Sequence, residues 1–305
     1  MDDLRRYASL FGQSTDPIAF EYKAPTGGFS LETGFPIPLM NQDVAATLLE
    51  AEGFDPATGV DFGKVTGSIT LGLAPNSIAI LYGSAGYADD HVAAISARGF
   101  DRHMLGDVPV YARGEDNHMD MSKARVADAF GNGMGMAQRL ANPGDDLIIT
   151  RNWATMEKVL AHRDAKPKAP NPWLAIFDTL DDLKQDNHLE GAIGWQDEAA
   201  LQSMAARGFL PYRAMMASLE LQGDQPILRT MMLFEASREE AQPTIDGVLA
   251  DSGRLAQYLG TLETEIVERD DYVISVISIT VKADIDTARD VLQMFSGEAV
   301  SQDIL

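Results

Sequence analysis

The 305 residues include no cysteine. Disulfides, thiolate nucleophiles and cysteine-held metals are excluded together. A cysteine-free chain suits an oxidising compartment, where mispairing is avoided, although cytosolic proteins can lack the residue too. Long apolar runs are also missing, since nothing approaches the roughly 20 residues a membrane-crossing helix needs. The opening Met1-Asp2-Asp3-Leu4-Arg5-Arg6-Tyr7 carries acids where a secretion signal has a basic stretch and then an apolar one. No export signal and no membrane span are expected in this chain. Basic residues are scarce: 24 Lys and Arg stand against 46 Asp and Glu, a net charge of −22. Such a field repels phosphate backbones, so no nucleic-acid partner is expected, and the simplest role of the acidity is solubility.

Catalytic signatures are missing as well. The one glycine-rich stretch, Gly131-Asn132-Gly133-Met134-Gly135-Met136, has its glycines at G-x-G-x-G with no strand before it. It fits neither a dinucleotide fingerprint nor a Walker loop, and a loop ahead of a helical Ala137 to Ala141 is the expectation. The histidines His91, His103, His118, His162 and His188 form no H-x-x-x-H or H-E-x-x-H pair. Asp116-Asn117-His118 and Asp186-Asn187-His188 repeat a tripeptide and read as polar loop residues. Asp55-Pro56-Ala57-Thr58-Gly59-Val60-Asp61 lacks the alternating acids and terminal Glu of a calcium loop and reads as a turn. Gly67-Ser68 and Gly83-Ser84 lack the second glycine of a nucleophile elbow. The acid pairs Asp145-Asp146, Asp181-Asp182, Glu239-Glu240 and Asp270-Asp271 are expected at element starts or turns as solvated carboxylates, and Asp89-Asp90 as a helix cap. No catalytic, cofactor-binding or metal-ligating residue is assigned.

What is present is a chain that folds. It is 45% apolar, 8% aromatic and 23% charged, and long enough for about two modules. Asp3 to Phe11 and Val44 to Glu50 read as short helices in a lead-in over 1–52. Ile78-Ala79-Ile80-Leu81-Tyr82 reads as a buried strand, followed by an acid-started helix stopped by Gly99 and a strand Val108-Pro109-Val110-Tyr111. Pro109 cannot donate to a ladder, so that strand is expected at the periphery. Gly191 to Trp195 repeats this grammar before a helix and a strand over Tyr212 to Leu221. The two A-R-G-F tetrapeptides, Ala97 to Phe100 and Ala206 to Phe209, lie 109 residues apart in matching contexts. Fixed-period self-similarity of this kind reads as an internal duplication.

Leu147 to Thr150 and Ile227 to Phe234 read as strands, each preceding a helix, over Trp153 to His162 and Arg238 to Leu249. Tyr272 to Val281 is the clearest strand, and Asp284 to Phe295 reads as a final helix. Ala165-Lys166-Pro167-Lys168-Ala169-Pro170-Asn171-Pro172 has three prolines, a semi-rigid connector. The expected organisation is a first module over 53–165, a connector over 166–172 and a second module over 173–305. The expected fold class is α+β, two similar modules, each a mainly antiparallel sheet with helices on one face. Met215-Met216 and Met231-Met232 read as strand-borne core, while Met119, Met121, Met134 and Met136 sit in weakly patterned sequence that suits an apolar lip.

Gly53-Phe54-Asp55-Pro56, Val60-Asp61, the run Ala74-Pro75-Asn76-Ser77-Ile78 to Gly83, Gly99-Phe100 and Val108 to Tyr111 together resemble uncharacterised bacterial cell-envelope proteins, many of them lipoproteins. The resemblance implies a periplasmic or extracellular location and no assigned activity. This chain departs from the lipoprotein pattern in having no lipid-accepting cysteine. The function expected is therefore a non-enzymatic extracytoplasmic binding or interaction protein that takes a small molecule or a protein partner. The alternatives are a hydrolase with a site assembled between the modules, an accessory subunit of a larger complex and, for compartment, the cytoplasm.

Overall fold

The structure is a computed structural model. It describes residues 5, 10, 18–23, 54–55, 60–61, 67–71, 78–82, 99–116, 118, 120, 137–144, 146–163, 165, 171–184, 187–196, 205, 210–269 and 271–294. The helix expected at Val44 to Glu50, the helix after Asp89, the glycine-rich stretch at Gly131 and the methionines from Met119 to Met136 lie outside those residues. Two compact units emerge, one of 22–162 and one of 1–21 with 163–305. The chain division after His162 falls just before the expected connector, and β1 (Ile18–Lys23) contains the other division. Each unit is built on an antiparallel sheet with helices, so the α+β class with two sheet modules holds.

In the 22–162 unit the sheet runs β4 (Gly67–Leu71), β5 (Ile78–Tyr82), β9 (Leu147–Thr150), β8 (Gln138–Ala141), β7 (Val108–Arg113), β6 (Asp101–Leu105). A separate short pair is formed by β2 (Phe54–Asp55) and β3 (Val60–Asp61), and residues 56–59 of the turn expected at Asp55 to Asp61 lie outside the described residues. The short apolar strands β5 and β9 are buried along their whole length and pair with each other. That burial is why they read as unbroken apolar runs rather than as alternation.

Three expectations are corrected in this unit. An extra strand, β6, follows β5 and precedes β7 in the chain; its Asp101-Arg102-His103-Met104 is exposed and mostly polar, so it gave no apolar signal. β6 is the edge strand, and β7 lies inside it. Pro109 is accommodated because β7 pairs with β8 only from Val110 to Arg113, leaving Pro109 beyond that ladder. The helix expected at Ala137 to Ala141 is strand β8, where tertiary pairing on both sides overrides a tetrapeptide with no β-propensity of its own.

In the other unit the sheet runs β10 (His188–Gln196), β11 (Ala214–Gln222), β12 (Gln225–Phe234), β14 (Tyr272–Val281), β13 (Gly260–Arg269). The β11–β12 hairpin closes through Gly223-Asp224, and β6–β7 closes through Gly106-Asp107. Both glycines have positive φ, 62° and 63°, which is what a two-residue hairpin turn demands. On one face Met215, Ala217, Leu219, Leu228, Met232, Phe234, Val273 and Ile277 pack with Ala241, Ile245 and Ala256 of α3 (Arg238–Leu259) and with Ala288 and Leu292 of α4 (Ile285–Met294). The alternate residues Met216, Met231, Leu233 and Ile274 are buried on the other face, so the strand-borne methionines are core. That second face receives α2 (Pro172–Lys184), whose Thr179 accepts a hydrogen bond from Arg269 of β13 at 2.7 Å. Arg269 has the opposite parity to Leu262 and Ile266, which pack on the α3 side.

The strand orders of the two units differ. At the A-R-G-F offset of 109 residues β5 falls on the start of β10 and β7 on β11, yet β10 and β11 pair directly whereas β9 and β8 stand between β5 and β7. What the units share is the antiparallel sheet and its helices.

Candidate functional site

Two groups of buried charge stand out among the described residues. Glu220 of β11 is fully buried, and Arg229 of β12 is nearly so. Arg229 donates Nε to Glu220 Oε1 at 2.9 Å, Nη2 to Oε2 at 3.2 Å and Nη1 to Ser278 Oγ at 2.8 Å. Ser218 Oγ and Asn187 Nδ2 supply one further donor to each carboxylate oxygen. Register explains the grouping, because Ser218, Arg229 and Ser278 lie directly opposite one another across three strands. Both charges are fully engaged, which assigns this cluster to fold specification rather than to chemistry.

A second network sits in the 22–162 unit. Arg139 of β8, 1% exposed, donates to the carbonyls of Arg113, Gln138 and Gly114 and pairs with Asp116 Oδ1 at 2.5 Å. Asp116 Oδ2 accepts the N–H of Trp153, the first residue of α1 (Trp153–His162), and the Arg139 guanidinium lies 5.0 Å from the Trp153 ring. Burial pushes the Arg139 guanidinium down from its ordinary value, and Asp116 opposes that shift. Asp116 is thus a positioning residue that fastens the turn after β7 to the helix start.

A third set fixes α2. Arg5 hydrogen-bonds Asp178 at 2.6 Å and also pairs with Asp181, while Arg269 pairs with Asp182. The pair Asp181-Asp182 is therefore in the second half of a helix and salt-bridged, not at an element start. Asp146 also departs from expectation, being 2% exposed at the start of β9.

The open feature lies at one end of the 1–21/163–305 unit. A recess of about 550 Å³ is lined by Glu235, Ala236, Ser237, Arg238 and Glu239 from the β12–α3 junction and by Glu268, Asp271, Tyr272 and Val273 from the β13–β14 hairpin. Two chain reversals bring these segments together. Phe234 ends its strand against Val273, and Arg269 pairs with Tyr272 where β13 gives way to β14. Ser237 caps α3 in a reciprocal box: its Oγ accepts from the Glu240 N–H at 3.3 Å, and its own N–H donates to Glu240 Oε2 at 2.9 Å. With Ser237 and Glu240 so engaged, the charge facing the recess comes from Glu235, Glu239, Glu268 and Asp271 against Arg238. Arg213 lies 3.5 Å from Glu235 and offsets it in part, with both side chains about half exposed. Four carboxylates lining an open, mainly polar recess suit the capture of an ammonium or guanidinium group.

Of the residues singled out in the sequence, Glu239 and Asp271 come together here as solvated carboxylates, as expected of them. Glu235 and Glu268 were missed. The signal that identifies them is that both flank strand ends whose turns already carry acids. His103 is exposed on β6 with its ring 5.0 Å from Trp153, His118 is exposed in a turn, and His162 ends α1. His188 lies 3.5 Å from Glu190 at the start of β10. His91 lies outside the described residues. Among the described residues no three His, Asp or Glu stand close enough to hold a metal ion, and no helix is long and apolar enough to cross a membrane.

No family model and no curated protein matches this sequence. Among solved structures the chain is similar to TP0453. Crystal form I is 12% identical with a TM-score of 0.40, covering 92% of this chain and 98% of that one. Crystal form III is 14% identical with a TM-score of 0.41, covering 97% and 98%.

Proposed function

We propose that this chain is a non-enzymatic, extracytoplasmic binding or interaction protein and that it engages a cationic ligand group at the acidic recess of its C-terminal sheet. The observation that carries the reading is that Glu235, Glu239, Glu268 and Asp271 line one recess where Ser237 and the neighbouring Glu240 are already committed to a helix cap. A few convergent polar groups over partly apolar walls are what small-group recognition requires. The extracytoplasmic part follows the cysteine-free composition and the cell-envelope resemblance of the first module.

Calorimetric titration with a polyamine at low ionic strength tests it. Binding is expected to weaken steeply with salt and to be lost in the E235Q/E239Q/E268Q/D271N variant. A variant that binds as tightly as the parent protein would place the cation elsewhere and overturn the assignment.

A further inference from the structure

The last strand of the C-terminal sheet carries an interaction of its own. β13 is ten residues long, pairs with β14 in unbroken register and has no strand on its outer side among the described residues. The Lys282 N–H donates to Leu259 O at 2.8 Å, one step beyond that register, which sets the phase of the ladder. Thr261, Glu263, Glu265, Val267 and Arg269 therefore bond inward to β14. Leu262, Thr264, Ile266 and Glu268 direct their N–H and C=O groups outward. Such an edge is a template for strand addition unless charge, proline or a bulge blunts it. β13 has no proline and no bulge, and its exposed charges are of one sign: Glu263, Glu265 and Glu268. Arg269, the single cation, is tied back to Asp182 and Thr179 of α2.

That charge pattern selects the occupant. A second copy pairing antiparallel with near-complete overlap sets Glu263 against Glu265, or Glu265 against its own copy, and like charges directly opposite destabilise a ladder. An extended segment with Lys or Arg at alternate positions instead meets Glu263 and Glu265 with opposite charge while the backbone supplies the ladder.

We propose that β13 receives an extended, Lys/Arg-bearing segment of a partner protein by strand addition. This rests on the reading of the chain as a binding protein, but not on the recess. The test uses the whole protein and an extended peptide of alternating Lys and Thr, followed by amide hydrogen exchange. The expected result is new protection at the Leu262, Thr264, Ile266 and Glu268 amides. Thr264→Pro removes one outward donor without touching the inward ladder and is expected to weaken binding about tenfold or more. The E263K/E265K variant is expected to lose binding even if the proline variant folds poorly. The E235Q/E239Q/D271N variant, which alters the recess alone, is expected to keep the peptide and its protection. Peptide binding without protection at those four amides would overturn the proposal, as would full affinity in a folded Thr264→Pro protein. A parent protein that binds no polyamine yet takes the peptide with those four amides protected would overturn the recess assignment and uphold β13.

Discussion

Glu220 and Arg229 show what a buried charge costs when it loses its partner. Glu220 accepts four hydrogen bonds, from Arg229 twice, Ser218 and Asn187, and its burial is complete. Glu220→Met strands a guanidinium inside the sheet, and Arg229→Met strands a carboxylate. Each is expected to destabilise the fold by about 3–5 kcal/mol. The E220M/R229M double variant removes both charges and is expected to recover most of that loss. Urea unfolding of the three variants measures the coupling, and a double variant as unstable as the sum of the singles would refute the closed-pair account. The network was not legible in the sequence, because Ser-Leu-Glu and Leu-Arg-Thr look like ordinary strand residues until the register sets them side by side. Asp116 teaches the same lesson: as a loop acid it carried no sign of the Arg139 that lies 23 positions away.

Helix starts are where sequence and element agree best. Ser237 and Glu240 form the capping box that S-x-x-E announces, and Asp284 accepts from the Thr287 N–H at 2.9 Å at the start of α4. Ser237→Ala is expected to cost about 1 kcal/mol. The Ser237 backbone and then its hydroxyl hold the Glu240 carboxyl below its usual range, and the Thr287 backbone and then its hydroxyl do the same for Asp284. Because the folded-state values are depressed, both carboxylates stabilise the protein fully above their unfolded values, roughly pH 4. That contribution is lost as pH falls through the lower folded values. Melting curves between neutral and acid pH are expected to show Glu240→Gln less stable than the parent at neutral pH and the gap closing below about pH 4; a gap independent of pH would assign the cap to the serine alone. Elements with apolar runs were readable, and Tyr272 to Val281 carries the bounds of β14 itself. β6, β8 and β13 were not, because an exposed edge, a buried Gln-Arg pair and a glutamate-bearing edge each hide the period that marks a strand. Helix α2 was hidden by the prolines before it, of which Pro172 serves as its first residue.

At the scale of the whole molecule the excess of 22 negative charges decides how salt acts. Salt weakens attractive exposed pairs such as Arg5 with Asp178, each worth about 0–1 kcal/mol, and it also weakens repulsion among the uncompensated carboxylates. With 46 acids against 24 bases, 22 carboxylates are left without a compensating cation, and folding brings them closer together. Raising ionic strength from roughly 0.01 M to 0.15 M shortens the screening length from about 30 Å to about 8 Å, so repulsion across either unit is largely removed. The melting temperature is therefore expected to rise over that range, as scanning calorimetry in a monovalent salt would report. A fall would mean that the surface pairs outweigh the net charge. The same salt is expected to weaken polyamine binding at the recess and peptide binding at β13, since both draw on the field that screening removes. Stability and binding should then move in opposite directions with ionic strength, a combination that neither a purely apolar interface nor a neutral pocket produces.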